Sequence, residues 1–168
     1  MRHRDSGVAQ PISWPEGQQV ACVWLPQLPL RVVVLHNPAW EGRPLVLAAG
    51  PGQRKVVQLC SAEAEREGIR PGFPLRDISA LCGDVIVCQP NPAYITAVCG
   101  DVLAKLQRVS PVVEAMDDQF FLDLRGLQSM YHQSFRFLER AIRAVVPQVL
   151  HPRIGIAPST TTTGVMVK

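Results

Sequence analysis

The chain has 168 residues, 47% hydrophobic and 18% charged, with a formal net charge of +3. That length supports one sizeable core, or one domain with a smaller lobe. No apolar run approaches the ~20 residues of a membrane span, and the mild positive charge permits a nucleic-acid partner without demanding one. The basic opening stretch, MRHRDSGVAQPISWPEG, leads into no signal-peptide apolar core, so residues 1–18 read as a flexible leader. Cys22, Cys60, Cys82, Cys88 and Cys99 are odd in number and form no C-x-x-C pair. They are expected to be reduced, buried thiols of a cytosolic protein rather than zinc ligands.

In chain order, QQVACVWLPQLPL (18–30) opens with a short buried strand that Pro26 and Pro29 end. LRVVVLHNP is open between strand and short helix: its β-branched run favours the strand, and its length favours neither. RPLVLAAGPGQRKVVQLC predicts a hairpin closed at Pro51 and Gly52. Ser61 then caps a helix that carries carboxylates in its first turn and stops near Gly68. PLRDISALCG gives a second short helix and DVIVCQP a strand. Asn91-Pro92 opens a helix reaching about Val109, with Ile95, Val98, Val102 and Leu106 on its apolar face. PVVEAMDDQFFLDL makes two short strands with the acidic pair between them or just inside. SFRFLERAIRAVV is an amphipathic helix with Phe135, Leu138, Ile142 and Val145 inward and Arg136, Arg140 and Arg143 opposite. PRIGIAP is a last core strand, and Ser159 is placed to cap a helix beyond it. The order is strand, α/β insertion, helix, strand, strand, helix, strand. Without the insertion this is the split βαββαβ, ferredoxin-like arrangement, an α+β fold.

Three groups of residues could carry chemistry. Asp117, Asp118 and Asp123 could hold a single cation, or they could be a polar hairpin turn with one edge carboxylate. Adjacent side chains of an extended strand face opposite ways, which argues against Asp117 and Asp118 acting together. Arg54, Lys55, Arg66, Arg70 and Arg76 could track a nucleic-acid backbone, or form a solvated face among Glu63, Glu65 and Glu67. Arg136, Arg140 and Arg143 read as a solvated helix face with a Glu139–Arg143 pair. His36, His132 and His151 stand apart from any nucleophile or paired ligand.

The order with its insertion resembles the palm and fingers of Y-family (DinB/UmuC-like) translesion DNA polymerases, over about residues 19–168. SAEAEREGIRPGFPL is similar to the family's Ser-Tyr-Glu-Ala-Arg and Gly-Val/Ile-Arg-x-Gly-Met-Pro-Leu segments, and MDDQFFLDL to its Ser-Leu-Asp-Glu-Ala-Phe-Leu-Asp. RIGIAPSTTTTGVMVK is similar to its Gly-Ile-Ala-x-Asn-Lys-x-Leu-Ala-Lys. The resemblance implies a palm-like part at 19–42 and 91–168 and a fingers-like insertion at 43–90. The family's thumb and little finger would lie beyond Lys168.

The departures from the family are chemical. Two-metal phosphoryl transfer needs several carboxylates around cations ~3.5–4 Å apart. The family's first strand supplies one in Asp-x-Asp-Ala-Phe-Tyr, whereas VWLPQLPL contains no acid and no sugar-gating aromatic. Asp118 falls on the family's Asp but Gln119 on its Glu, leaving Asp118, Gln119 and Asp123 as vestiges of a catalytic set. The triphosphate-clamp Tyr and Arg fall on Ala62 and Glu65, and the last motif's Lys positions fall on Thr160 and Gly164. Glu65 puts a negative charge where a polyphosphate would sit.

Within the family the match is to ImuB-type members, which lack the catalytic acids and share an apolar Trp-Leu-Pro first strand and a Leu-Asp-x-x-Gly-Leu element, here LDLRGL (122–127). The implied role is a non-catalytic adaptor of the bacterial cytoplasm in translesion DNA synthesis and repair. Its implied partners are an ImuA-type protein, an error-prone polymerase, the sliding clamp and damaged or primed DNA, with no cofactor. Arg54, Lys55, Arg70 and Arg76 are the expected nucleic-acid contacts. QLPL (27–30) is expected to lie in the core strand, where it could not serve as a clamp-docking peptide. The alternative is a metal-dependent nucleotidyltransferase that uses Mg²⁺ and Asp118 with Asp123 or Glu114.

Overall fold

Apolar residues alternate along two stretches of the chain, and those stretches form the centre of the fold. The computed structural model describes residues 18–49, 54–127, 129–130 and 134–158. The elements are β1 (Gln18–Trp24), α1 (Leu28–His36), β2 (Leu45–Ala48), β3 (Val57–Cys60), α2 (Ala62–Arg66) and α3 (Ile78–Leu81). There follow β4 (Ile86–Cys88), α4 (Pro92–Leu106), β5 (Val113–Met116), β6 (Gln119–Asp123), α5 (Phe135–Val145) and β7 (Arg153–Pro158).

The strands form two sheets, one ordered β5-β6-β1-β7 and one β3-β2-β4. In the first, every neighbouring pair is antiparallel. With α4 and α5 as the connecting helices, this is the ferredoxin-like βαββαβ arrangement. Ala21 and Val23 of β1, Leu25 beyond it, and Phe120 and Leu122 of β6 turn one way. They pack with Val102 and Leu106 of α4 and with Leu138 and Ile142 of α5. The second sheet is built within the chain between α1 and α4. There β2 pairs antiparallel with β3 and parallel with β4.

α1 lies between the two cores. Leu28 and Val32 join the first core, while Leu30 and Val34 pack with Leu45 and Leu47 of β2. Successive members of the two sets are two residues apart, roughly 200° around a helix of 3.6 residues per turn. Burial of residues 28, 30, 32 and 34 therefore alternates as in a strand although the backbone is helical. The segment left open between strand and helix is thus a helix, and QLPL does not lie in the core strand. β1 ends at Trp24, and α1 starts after Gln27, which takes a left-handed backbone (φ 54°) without a side-chain cap; Pro29 lies in the first turn, a position that suits proline.

Other expectations fare unevenly. Asn91 caps α4, accepting from the backbone N–H groups of Ala93 and Tyr94, but the helix ends at Leu106 rather than near Val109. Gln18 is already in β1, and residues 1–17 lie outside the described residues, as do Pro51, Gly52, His132, Ser159, Thr160 and Gly164. All five cysteines are free, yet only Cys60 and Cys82 are fully buried. No helix among the described residues is long and apolar enough to cross a membrane.

Candidate functional site

The first sheet has a second face, turned away from its helices. Strand alternation puts Cys22 and Trp24 of β1, Gln119, Phe121 and Asp123 of β6, Glu114 and Met116 of β5, and Arg153 of β7 on it. Among the described residues none of these side chains joins a hydrophobic cluster. Trp24 stands opposite Gln119 on one side and Arg153 on the other; Phe121 stands opposite Cys22 and Glu114.

The acidic pair forms the turn between β5 and β6. Met116 and Gln119 face each other, and Asp117 takes a left-handed backbone (φ 52°), which aspartate tolerates. The Leu25 N–H donates to the Asp118 carbonyl at 2.9 Å, extending the pairing one step past β1. The Asp118 carboxylate consequently lies beside Trp24, whose indole N–H donates to its Oδ2 at 2.9 Å. The Arg153 guanidinium stacks over the same indole, 5.2 Å from the ring centroid. The thiols of Cys22 and Cys99 are pushed up, first by burial and second by the negative charge of Asp118.

Asp123 is placed elsewhere on the face. It pairs with Val20 while Gln119 pairs with Trp24, so four strand residues separate the two positions. At ~3.4 Å per residue they are about 14 Å apart. Asp123 also has its own partner: it accepts from the backbone N–H of Arg125 at 2.9 Å and from that residue's guanidinium. These hydrogen bonds hold its carboxyl below the usual carboxylate range.

This donor set does not suit divalent cations. Two-metal chemistry needs carboxylates converging on ions ~3.5–4 Å apart. Asp118 instead has a neutral amide in Gln119 and, in Trp24, an N–H that can only donate. Among the described residues no three His, Cys, Asp or Glu side chains come together in a way that could hold a metal ion. Asp117, Asp118 and Asp123 are therefore not brought into one cluster.

The fingers-like motif divides by direction. Ser61 is buried; its hydroxyl accepts from the N–H groups of Leu45 (3.1 Å) and Ala64 (3.3 Å) and donates to the Arg43 carbonyl (3.1 Å). Ala64 and Ile69 are buried in the second sheet's core. Glu63 makes an ion pair with Arg66 at 3.0 Å. Ala62 and Glu65, at the clamp positions, are exposed.

The expected nucleic-acid contacts are brought to one edge. Leu75 N–H donates to the Lys55 carbonyl, Val57 N–H to Phe73, and Gly72 N–H to Val57, so 55–57 and 72–75 run side by side. Arg54, Lys55 and Arg76 gather at one end of this pairing, with Arg70 just past the other, and all four are exposed. Arg76 lies 3.4 Å from Asp77, whereas Arg70 turns back onto the Glu65 carbonyl at 2.6 Å. On α5, Arg143 pairs with Glu139 at 2.8 Å as expected. His36 is occupied by the Val32 carbonyl (2.8 Å) and stacks on Tyr94 at 4.5 Å; His151 is exposed. The sequence reading missed the Trp24–Asp118–Arg153 arrangement. Trp24 could have been noticed as the one large aromatic in the acid-free first strand, but nothing local joins it to Arg153.

The sequence profile of the impB/mucB/samB family matches residues 23–167. The chain belongs to this family. Among curated relatives it is 30% identical over 95 residues to DNA polymerase IV of Oceanobacillus iheyensis, covering 55% of this chain and 23% of that one. It is 32% identical over 98 residues to DNA polymerase IV 1 of Mesorhizobium japonicum, covering 58% and 22%. The fold is shared with solved Y-family polymerases. DinB from Sulfolobus solfataricus aligns with a TM-score of 0.65 at 20% identity, over 84% of this chain and 42% of that one. A post-insertion binary complex of Dbh DNA polymerase aligns at 0.67 and 21%, with the same coverage. The matches thus span about a quarter of these curated relatives and under half of the solved chains.

Proposed function

We propose that this impB/mucB/samB family chain is a non-catalytic, ImuB-like polymerase homologue that serves as an adaptor in translesion DNA synthesis and repair. One observation carries the reading. The Asp118 carboxylate, in the turn at the end of the open face, accepts from an indole N–H of the strand that would have to supply its companion acid. Residues 19–42 and 91–168 form the palm-like part and 43–90 the fingers-like insertion, whose basic edge (Arg54, Lys55, Arg70, Arg76) contacts the DNA backbone. The partners are an ImuA-type protein, an error-prone polymerase and the sliding clamp, in the bacterial cytoplasm. Exposed Glu65 and Ala62 where a triphosphate clamp would stand support the same reading.

A second reading has one point in its favour: the relatives named above are called DNA polymerase IV. It requires Asp118 to share Mg²⁺ with Asp123 or Glu114, and the ~14 Å spacing of the β6 positions opposes the first pairing. Incubation with primed template, deoxynucleotides and Mg²⁺ or Mn²⁺ decides between the two. No extension is expected. Extension that Asp118→Ala abolishes would overturn the non-catalytic reading.

A further inference from the structure

The open face carries aromatic rings on both of its central strands. Trp24 and Phe121 sit on neighbouring β1 and β6, and their partners Gln119 and Cys22 place them diagonally, two residues apart in register. Such diagonal side chains are ~7–8 Å apart, within reach of one extended ligand. Met116, 66% exposed, stands beyond Gln119 at the β5 edge, and Arg153 stands on the other side of Trp24. The Arg153 guanidinium lies over the indole, 5.2 Å from the ring centroid, so the ring already holds one cation–π contact.

We propose that this face binds single-stranded DNA by base stacking, with Trp24 and Phe121 as two successive platforms. Its electrostatics select bases over phosphates. Glu114 on the edge strand β5 and Asp118 in the turn at the end of the face repel a phosphate, while their oxygens and the Gln119 amide can meet amino and carbonyl groups on base edges. Arg153 and Arg125 sit towards its margins, where a backbone would pass. A ferredoxin-like sheet with rings on its two central strands is a known solution for splaying unpaired bases. DNA is the strand favoured because the relatives of this fold are named DNA polymerases. The inference rests on the non-catalytic reading of the face, since a base seated on Trp24 occupies the ground a cation would need.

The test is fluorescence anisotropy of a labelled mixed-sequence single strand with the 168-residue chain at low salt. Trp24→Leu and Phe121→Leu should each weaken binding on the order of tenfold, the usual scale of one stacked base. Trp24→Phe should retain most of the affinity, because phenylalanine stacks but cannot donate to Asp118. That rescue separates stacking from the hydrogen bond, and thermal melts confirm that each variant is folded. If Trp24→Leu does not fold, Phe121→Leu and Trp24→Phe still carry the comparison. Undetectable single-strand binding, or Leu variants that bind like wild type, overturns the proposal. So does tighter binding of blunt duplex or RNA, or concentration-dependent self-association that Trp24→Leu removes. Combined Arg54, Lys55, Arg70 and Arg76 to Ala changes report separately on the basic edge, by flattening the salt dependence. Primer extension reports separately on the non-catalytic reading. Absent binding with absent extension sinks only the stacking face.

Discussion

Ser61→Ala should be among the costliest single-atom deletions in this chain. The hydroxyl joins three segments: it caps α2 through Ala64 N–H, accepts from Leu45 N–H at the start of β2, and donates to the Arg43 carbonyl. Loss of an N-cap serine costs about 1 kcal/mol. Ser61 is only 5% exposed and the Leu45 N–H is buried, so water does not readily replace the lost acceptor. An orphaned buried donor adds about 1–3 kcal/mol. The total is about 2–4 kcal/mol. In urea, with a slope of ~1–3 kcal/mol per molar, that is a midpoint lower by on the order of 1–2 M at unchanged slope. Glu65→Arg, four residues on, restores the charge of the family's clamp residue on an exposed position, and should stay within about 0.5 kcal/mol of wild type. A Ser61→Ala midpoint indistinguishable from wild type, or a Glu65→Arg loss equal to it, refutes the division of this motif into inward and outward residues.

Asp123 should give stability a localised acid dependence. Its folded carboxyl titrates below the unfolded value of about 3.9, so its contribution is complete above that pH and is lost as pH falls through the folded value. In thermal melts, wild type should exceed Asp123→Asn at neutral pH, and the gap should close below about pH 4; a gap independent of pH contradicts the Arg125 hydrogen bonds. Asn91→Ala removes the acceptor of two N–H groups at the start of α4 and should cost about 1 kcal/mol, read by urea titration.

Much of the fold was legible because its elements bury one face only. α5 shows this: Leu138 and Ile142 are buried while Arg136, Arg140 and Arg143 are exposed, the simple amphipathic pattern. α1 was ambiguous for a physical reason. A helix pressed between two sheets buries Leu28 and Val32 on one side and Leu30 and Val34 on the other. Its hydrophobic pattern has no 3.6-residue period to detect, and its burial mimics a strand. The site's departures from the family motifs were legible, since Gln119 and Glu65 are read directly from the sequence. Its contacts were not. The contact of Trp24 with Asp118 spans 94 residues, and only sheet registration creates it.

That registration also explains how the fold is recognisable where motif residues differ. Along β1, Ala21, Val23 and Leu25 face the core, and along β6 Phe120 and Leu122 do. A large side chain buried there contributes about 1.5–3 kcal/mol, so these positions are held by stability alone. The intervening positions, Trp24, Gln119 and Phe121, face the other way, are only part-buried and lie outside this core. Residues on that half can change without disturbing the other half. Here the indole satisfies the remaining carboxylate, and the guanidinium from a third strand covers the indole. That hydrogen bond fixes the orientation of the indole on the sheet. The contact that places Trp24 rather than a second acid beside Asp118 also orients the ring on which the stacking proposal rests.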